Sequence, residues 1–166
     1  MNRRTTLAMS TAALLCLGVA LAGGAAVLST AVLAQTANSD AVAAKAMLEK
    51  VVAAVKADEP KALDMFNKGE GGFYIKERDL FPFCFTKADG KIVATQTKQA
   101  LGKDTRTFKD KTGKVFGQEI YDAAKEGQIS EVSYMFGRPG AEQTLVPKVA
   151  FVTGVADLGC GVGYYK

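Results

Sequence analysis

The chain has 166 residues, 23% of them charged, a formal net charge of +4 and three cysteines, and it contains no histidine and no tryptophan. That length points to one domain with one modest core, and the near balance of charge excludes a strongly basic nucleic-acid surface. Without histidine the chain lacks the commonest general base and metal ligand.

Asn2-Arg3-Arg4 makes a short basic start, and no charged residue occurs from Leu7 to Ala34. Val32 and Ala34, three and one residues before the cut, suit signal-peptidase cleavage after Ala34, just before Gln35. Residues 1–34 are therefore read as a signal peptide and 35–166 as the exported domain, periplasmic or secreted. The competing reading is an uncleaved membrane anchor, because the apolar run is long enough to cross a bilayer. Cys16 falls inside the leader, so Cys84 and Cys160 remain. An even pair in an oxidising compartment predicts a disulfide.

Ser39-Asp40 reads as a helix N-cap. Val42, Leu48, Val51, Val52 and Val55 then recur at helical spacing, opposite Lys45, Glu49, Lys50 and Lys56. Asp58-Glu59-Pro60 starts a second helix, with proline in its first turn and acids at its positive end. Ala62, Leu63 and Phe66 form its apolar stripe, and Gly69 ends it. Leu80 to Thr86 alternates Phe81, Phe83 and Phe85 against Pro82, Cys84 and Thr86, and Ala88-Asp89-Gly90 turns it into a second strand over Lys91 to Thr95. A polar loop follows, its lysines alternating with Asp104 and Asp110 as on a solvated face. Phe116, Ile120 and Ala123 mark a short helix that Gly127 stops.

Three strands close the chain. Ile129 to Phe136 alternates Val132, Tyr134 and Phe136 against Glu131, Ser133 and Met135. Arg138-Pro139-Gly140 turns, Leu145 to Thr153 returns, Ala156-Asp157 turns again, and Leu158 to Tyr165 is last. The expected fold is α+β: an antiparallel sheet of about five strands with helices packed on it. In the last strand Gly159, Gly161 and Gly163 share one face, and Leu158, Cys160, Val162 and Tyr164 share the other. A glycine face admits something close to the backbone, either a helix or a ligand. Tyr164 and Tyr165 point to opposite faces, so at most one of them faces a pocket.

No CxxC, haem-attachment or phosphate-loop motif is present, and Gly69-Glu70-Gly71-Gly72 follows a helix rather than a strand. Asp79, Asp89 and Asp110 sit where turn and cap residues belong. No enzyme activity, cofactor or metal is expected.

The order of elements and a series of short stretches resemble a single cache domain, the extracellular PAS-like sensor module of bacteria. The stretches include Gly71-Gly72-Phe73-Tyr74, Asp79-Leu80-Phe81, Asp89-Gly90-Lys91, Leu101-Gly102-Lys103-Asp104, Asp110-Lys111-Thr112-Gly113-Lys114, Val132-Ser133-Tyr134, Pro147-Lys148-Val149 and Gly161-Val162-Gly163-Tyr164-Tyr165. Two features depart from the pattern. Many relatives carry a histidine where this chain has Val93-Ala94-Thr95-Gln96, and tryptophans where it has none. The resemblance implies a long N-terminal helix on one face of the sheet and a small-molecule cavity on the other. It also implies that the first and last strands are neighbours, so that Cys84 and Cys160 could bridge them. The chain ends straight after its last strand, which gives the expectation of a free-standing sensor without its own output module.

A carboxylate in a small apolar cavity needs cationic or hydroxyl donors. The candidates are Tyr134, Lys148, Arg138 and Thr95, with Phe83 as a wall. Each also has a plain structural reading: Arg138 as a solvated turn residue, Lys148 as a strand-edge charge, and Tyr134 and Phe83 as core. The expected function is binding of a small organic acid or amino acid, with a membrane sensor as a candidate partner and no nucleic acid. The alternatives are an anchored regulator and a structural protein with a collapsed pocket.

Overall fold

The computed structural model describes residues 28–166, and side chains from residue 39 onward except those of residues 142 and 143. Of the expected signal peptide, residues 1–27 lie outside the described residues, and 28–34 belong to the first helix. Helix α1 spans Leu28–Ala57 and α2 spans Glu59–Lys68. Strands β1 (Pro82–Thr86) and β2 (Ile92–Ala94) come next, then α3 (Phe116–Ala123), β3 (Ser130–Arg138), β4 (Ala141–Val155) and β5 (Leu158–Tyr165). Among the described residues no helix is long and apolar enough to cross a membrane.

Helix α1 does not begin at Ser39-Asp40. No glycine or proline interrupts Leu28 to Ala57, so nothing breaks the helix there. Asp40 instead forms an ion pair with Arg78, at 3.3 Å. The buried stripe of α1 is Ala44, Met47, Leu48, Val51 and Val55, whereas Val42 is 65% exposed. Helix α2 starts as expected: the Asp58 side chain accepts the Lys61 backbone N–H, and Gly69 closes the helix in the left-handed conformation.

The five strands form one antiparallel sheet in the order β2-β1-β5-β4-β3. The terminal strand β5 is therefore central, and all eight of its residues are buried. Cys84 lies directly opposite Cys160 in the β1–β5 register, and the two are joined by a disulfide that closes 76 residues of chain. Strands β3 and β4 run two to four residues beyond the expected ends, because they pair almost to the Pro139-Gly140 turn.

The sheet separates two clusters. On one side Cys84, Val149, Phe151, Cys160, Val162 and Tyr164 pack with the α1 and α2 stripes. On the other, Phe85, Ile92, Val132, Tyr134, Ala150 and Val152 pack with Phe116 and Ile120 of α3. The glycine face of β5 lies on this second side. Its occupants are mainly side chains from neighbouring strands rather than a helix. The Phe85 ring and Ala124 lie over Gly159, and the Phe83 ring comes within 2.5 Å of where a Gly161 Cβ would sit. Lys148 Cε and the Tyr134 hydroxyl stand 3.0 and 3.3 Å from the corresponding point at Gly163. Glycine is needed because these long side chains cross the strand at backbone distance.

Candidate functional site

Helix α3 is short and covers only part of the second face. The rest is roofed by the loop from Thr97 to Lys109, and between roof and sheet lies a cavity of about 290 Å³. Its walls are mostly apolar, with Phe81 and Phe83 leading into and along β1, Ile92 from β2, Phe108 from the loop and Phe116 and Ile120 from α3. Its polar groups include Thr95, Thr97, Gln99, Thr105 and Tyr134, together with three lysines, Lys103, Lys109 and Lys148, and no carboxylate. Lys103 and Lys109 are exposed at the rim.

Of the residues singled out in the sequence, Phe83, Thr95, Tyr134 and Lys148 all line this cavity. Arg138 does not. A register shift between Gly137 and Arg138 takes it out of the alternation of β3, and its guanidinium lies over the Tyr165 ring, 4.4 Å from the centroid. Tyr165, not Tyr164, is the terminal tyrosine on the site side; Tyr164 belongs to the α1 cluster.

Lys148 is a buried cation, only 5% exposed. Its Nζ sits 3.0 Å from Asp79 Oδ2 and 4.1 Å from the Tyr165 ring centroid, with Phe136 and Phe81 at 5.4 and 5.7 Å. Aromatic faces stabilise an ammonium where water is scarce. Burial still lowers the Lys148 pKa, and the Asp79 charge opposes that shift. An ammonium carries three donors, and Asp79 takes one of them. Asp79 also lies 3.2 Å from the Tyr165 hydroxyl, which is 2.8 Å from the Gly137 carbonyl. A second, shallower cleft contains Asp79 and Tyr165 and shares Phe81, Thr97, Phe136 and Lys148 with the main cavity. Lys148 thus joins the two.

Tyr134 stacks on Phe116, with centroids 4.2 Å apart and planes at 9°. Burial and the nearby Asp79 charge raise its pKa, so it is a neutral hydrogen-bonding group. Thr95 is fixed from α2, whose Asn67 Oδ1 accepts the Thr95 N–H at 3.1 Å and whose Nδ2 donates to Val93 O at 3.0 Å. The Thr95 hydroxyl accepts the Thr97 N–H at 3.1 Å, which leaves its own proton for an acceptor in the cavity. A buried ammonium and hydroxyl donors on apolar walls can hold a small anion by charge-assisted hydrogen bonds. Among the described residues no cluster of potential metal ligands occurs.

Two groups in this region escaped the sequence reading. Asp79 was legible as a turn residue, and it does cap a 3-10 turn with φ 51°. Its partner, however, is 69 residues away. Thr105 lies in a loop without periodicity, and no local pattern marks its side chain as buried.

A family model for Single Cache domain 2 matches residues 65–165. A methyl-accepting chemotaxis protein from Vibrio parahaemolyticus RIMD 2210633 shares the fold, with a TM-score of 0.61 and 17% identity over 82% of this chain and 95% of that one. The periplasmic sensor domain of a chemotaxis protein is also similar, with a TM-score of 0.56 and 20% identity over 83% and 98%. A Cache chemosensory domain described for carboxylic acid recognition gives 0.54 and 19% over 82% and 95%. A search of curated proteins found no match to this chain.

Proposed function

The chain belongs to the Single Cache domain 2 family, and from that premise we propose that it is an exported sensor-type protein whose α3-side cavity binds a small organic acid or amino acid. The observation that carries this reading is a mostly apolar cavity whose lining holds two rim lysines and the buried Lys148, one of whose three donors is taken by Asp79 from the adjoining cleft, and no carboxylate of its own. Such a lining favours an anion. About 290 Å³ suits a small metabolite, since pockets for drug-sized ligands run from about 300 to 1,000 Å³. The similar Cache domain described for carboxylic acid recognition supports the same ligand class. Lys148 would pair with the ligand carboxylate, and Tyr134 and Thr95 would donate to it. Phe83 would wall the apolar part, and Arg138 would act only indirectly through Tyr165. Ligand binding would alter how the protein meets a partner such as a membrane sensor, without chemical change to the ligand.

A thermal-shift screen over short carboxylates and amino acids tests the reading. A specific ligand at 100 Kd stabilises by about 2.7 kcal/mol. Such a shift in the wild type and its loss in folded Lys148→Met support the proposal; no shift with any compound contradicts it. Export is tested by intact mass. A periplasmic or secreted chain beginning at Gln35 supports cleavage after Ala34, and retention of residues 1–34 overturns it.

A further inference from the structure

Arg78 and Asp79 are neighbours in the chain, yet they serve opposite faces of the sheet. Arg78 pairs with Asp40 of α1 at 3.3 Å. Asp79 reaches the α3 side, where its Oδ2 lies 3.0 Å from Lys148 Nζ and 3.2 Å from the Tyr165 hydroxyl. Both belong to one short closed loop, residues 75–80. At its base the Ile75 N–H donates to Leu80 O at 2.9 Å, and the Leu80 N–H donates to Ile75 O at 3.2 Å. Inside it the Arg78 N–H donates to Ile75 O at 3.1 Å and the Asp79 N–H to Lys76 O at 3.2 Å. The base is fixed, because Leu80 is buried in the α1-side cluster, and the tip formed by Lys76, Glu77 and Arg78 is exposed. A loop this short and bonded to itself shifts at Arg78 when it shifts at Asp79.

Asp79 holds the same ammonium that a ligand carboxylate needs. Two carboxylates on one buried ammonium would leave a negative charge uncompensated where water is scarce. Exchange of one carboxylate for the other keeps the cation paired. Asp79 is the partner able to leave: its side chain is 18% exposed and borders the shallower cleft, whereas that of Lys148 is 6% exposed. Tyr165 stays satisfied after the exchange, with its hydroxyl 2.8 Å from the Gly137 carbonyl.

We propose that Asp79 is an internal competitor: it occupies Lys148 while the cavity is empty, a ligand carboxylate displaces it, and the loop carries that displacement through Arg78 to the Asp40 turn of α1. This rests on the carboxylate-binding reading above and adds to it a route from the cavity to the opposite face of the sheet.

The test is calorimetric titration of the wild type, Asp79→Asn and Arg78→Gln with acetate, butyrate and 3-hydroxybutyrate, with amide NMR on the same samples. If Asp79 leaves Lys148 free in about one molecule in ten, Asp79→Asn should bind these acids about tenfold tighter than the wild type. Arg78 lines neither the cavity nor the cleft. Arg78→Gln should nevertheless bind about twofold tighter, because coupling between two sites is reciprocal. In the wild type the Asp40 amide should shift with the same midpoint as Lys148. In Arg78→Gln the Lys148 shift should remain and the Asp40 shift should vanish. Wild-type binding that is equal or weaker in folded Asp79→Asn overturns the competition and leaves carboxylate binding intact. If Asp79→Asn does not fold, Arg78→Gln decides: wild-type affinity, with an Asp40 amide that stays still in the wild type, overturns the route to α1. Binding of none of these acids by any of the three proteins overturns both readings.

Discussion

On the α1 side of the sheet, β5 presents Leu158, Cys160, Val162 and Tyr164 to Leu48 and Val51 in a filled cluster. On the other side the same strand presents Gly159, Gly161 and Gly163, and the space above it is shared by aromatic rings, Lys148 and a cavity. One alternating strand therefore builds two kinds of surface. The first is covered by a 30-residue helix and tied by a disulfide. The second is covered by an eight-residue helix and a loop that cannot fill it. The first face is closely packed and cross-linked, and the second carries the cavity with Lys148, Tyr134 and Thr95 in its lining.

The largest effect should come from removing the tie on the α1 face. In the chain-entropy account a disulfide closing a loop of this length contributes about 4 kcal/mol. Cys84→Ala with Cys160→Ala should lower the free energy of unfolding in urea by that order and leave ligand preference unchanged. A change in preference without a loss of stability would break the division of labour between the faces. Leu48→Ala, in the same filled cluster, should cost about 3 kcal/mol. Ile120→Ala, the same size of deletion at the cavity wall, should cost less, about 2 kcal/mol. Similar losses at the two positions would mean that the second face is packed as tightly as the first.

Gly163→Ala should act on binding more than on stability. The new Cβ would meet Lys148 Cε at 3.0 Å, the flexible part of a long side chain, and would push the ammonium aside. Weaker carboxylate binding with little change in melting temperature is expected, checked by paired calorimetry and thermal melts.

The pH dependence has an alkaline and an acid window, both set on the α3 side of the sheet. Burial holds the Lys148 pKa below its ordinary 10.5. Between the folded value and 10.5 the unfolded chain binds more protons than the folded one, so this group adds stability as pH rises through that window. Carboxylate affinity should fall over the same window, as the ammonium loses its charge. Lys148→Met should flatten both dependences. Asp110 works at the acid end. Its carboxylate accepts N–H groups of Thr112, Lys114 and Met135, and its pKa is lowered to about 2. Its contribution is complete above the ordinary 3.8 and is lost as pH falls towards 2, so Asp110→Asn should reduce the acid sensitivity of unfolding.

The alternation of β5, the phenylalanine stripe of β1 and the caps of α2 were legible because each is a local pattern with one physical cause. Cys84 and Cys160 could be paired once the strand order was known. Phe83, Tyr134 and Lys148 fall around one cavity because strand parity assigns a face, Thr95 joins them from the loop after β2 where Asn67 holds it, and Arg138 departs where a bulge breaks parity. The start of α1 was misread because Asp40 looks like a cap yet serves Arg78. Asp79 and Thr105 could not be placed from sequence, since one depends on a partner far along the chain and the other on a loop folded against α3.

The central claim is that ligand binds on the glycine side of β5 and not on the α1 side. It is tested most directly by backbone amide NMR during a titration with 3-hydroxybutyrate and, in parallel, butyrate. The account predicts saturable shifts at Lys148, Gly163, Tyr134 and Thr95, with Leu48, Val51 and Val55 of α1 nearly still. Shifts centred on α1, or none at any residue with either acid, would contradict it.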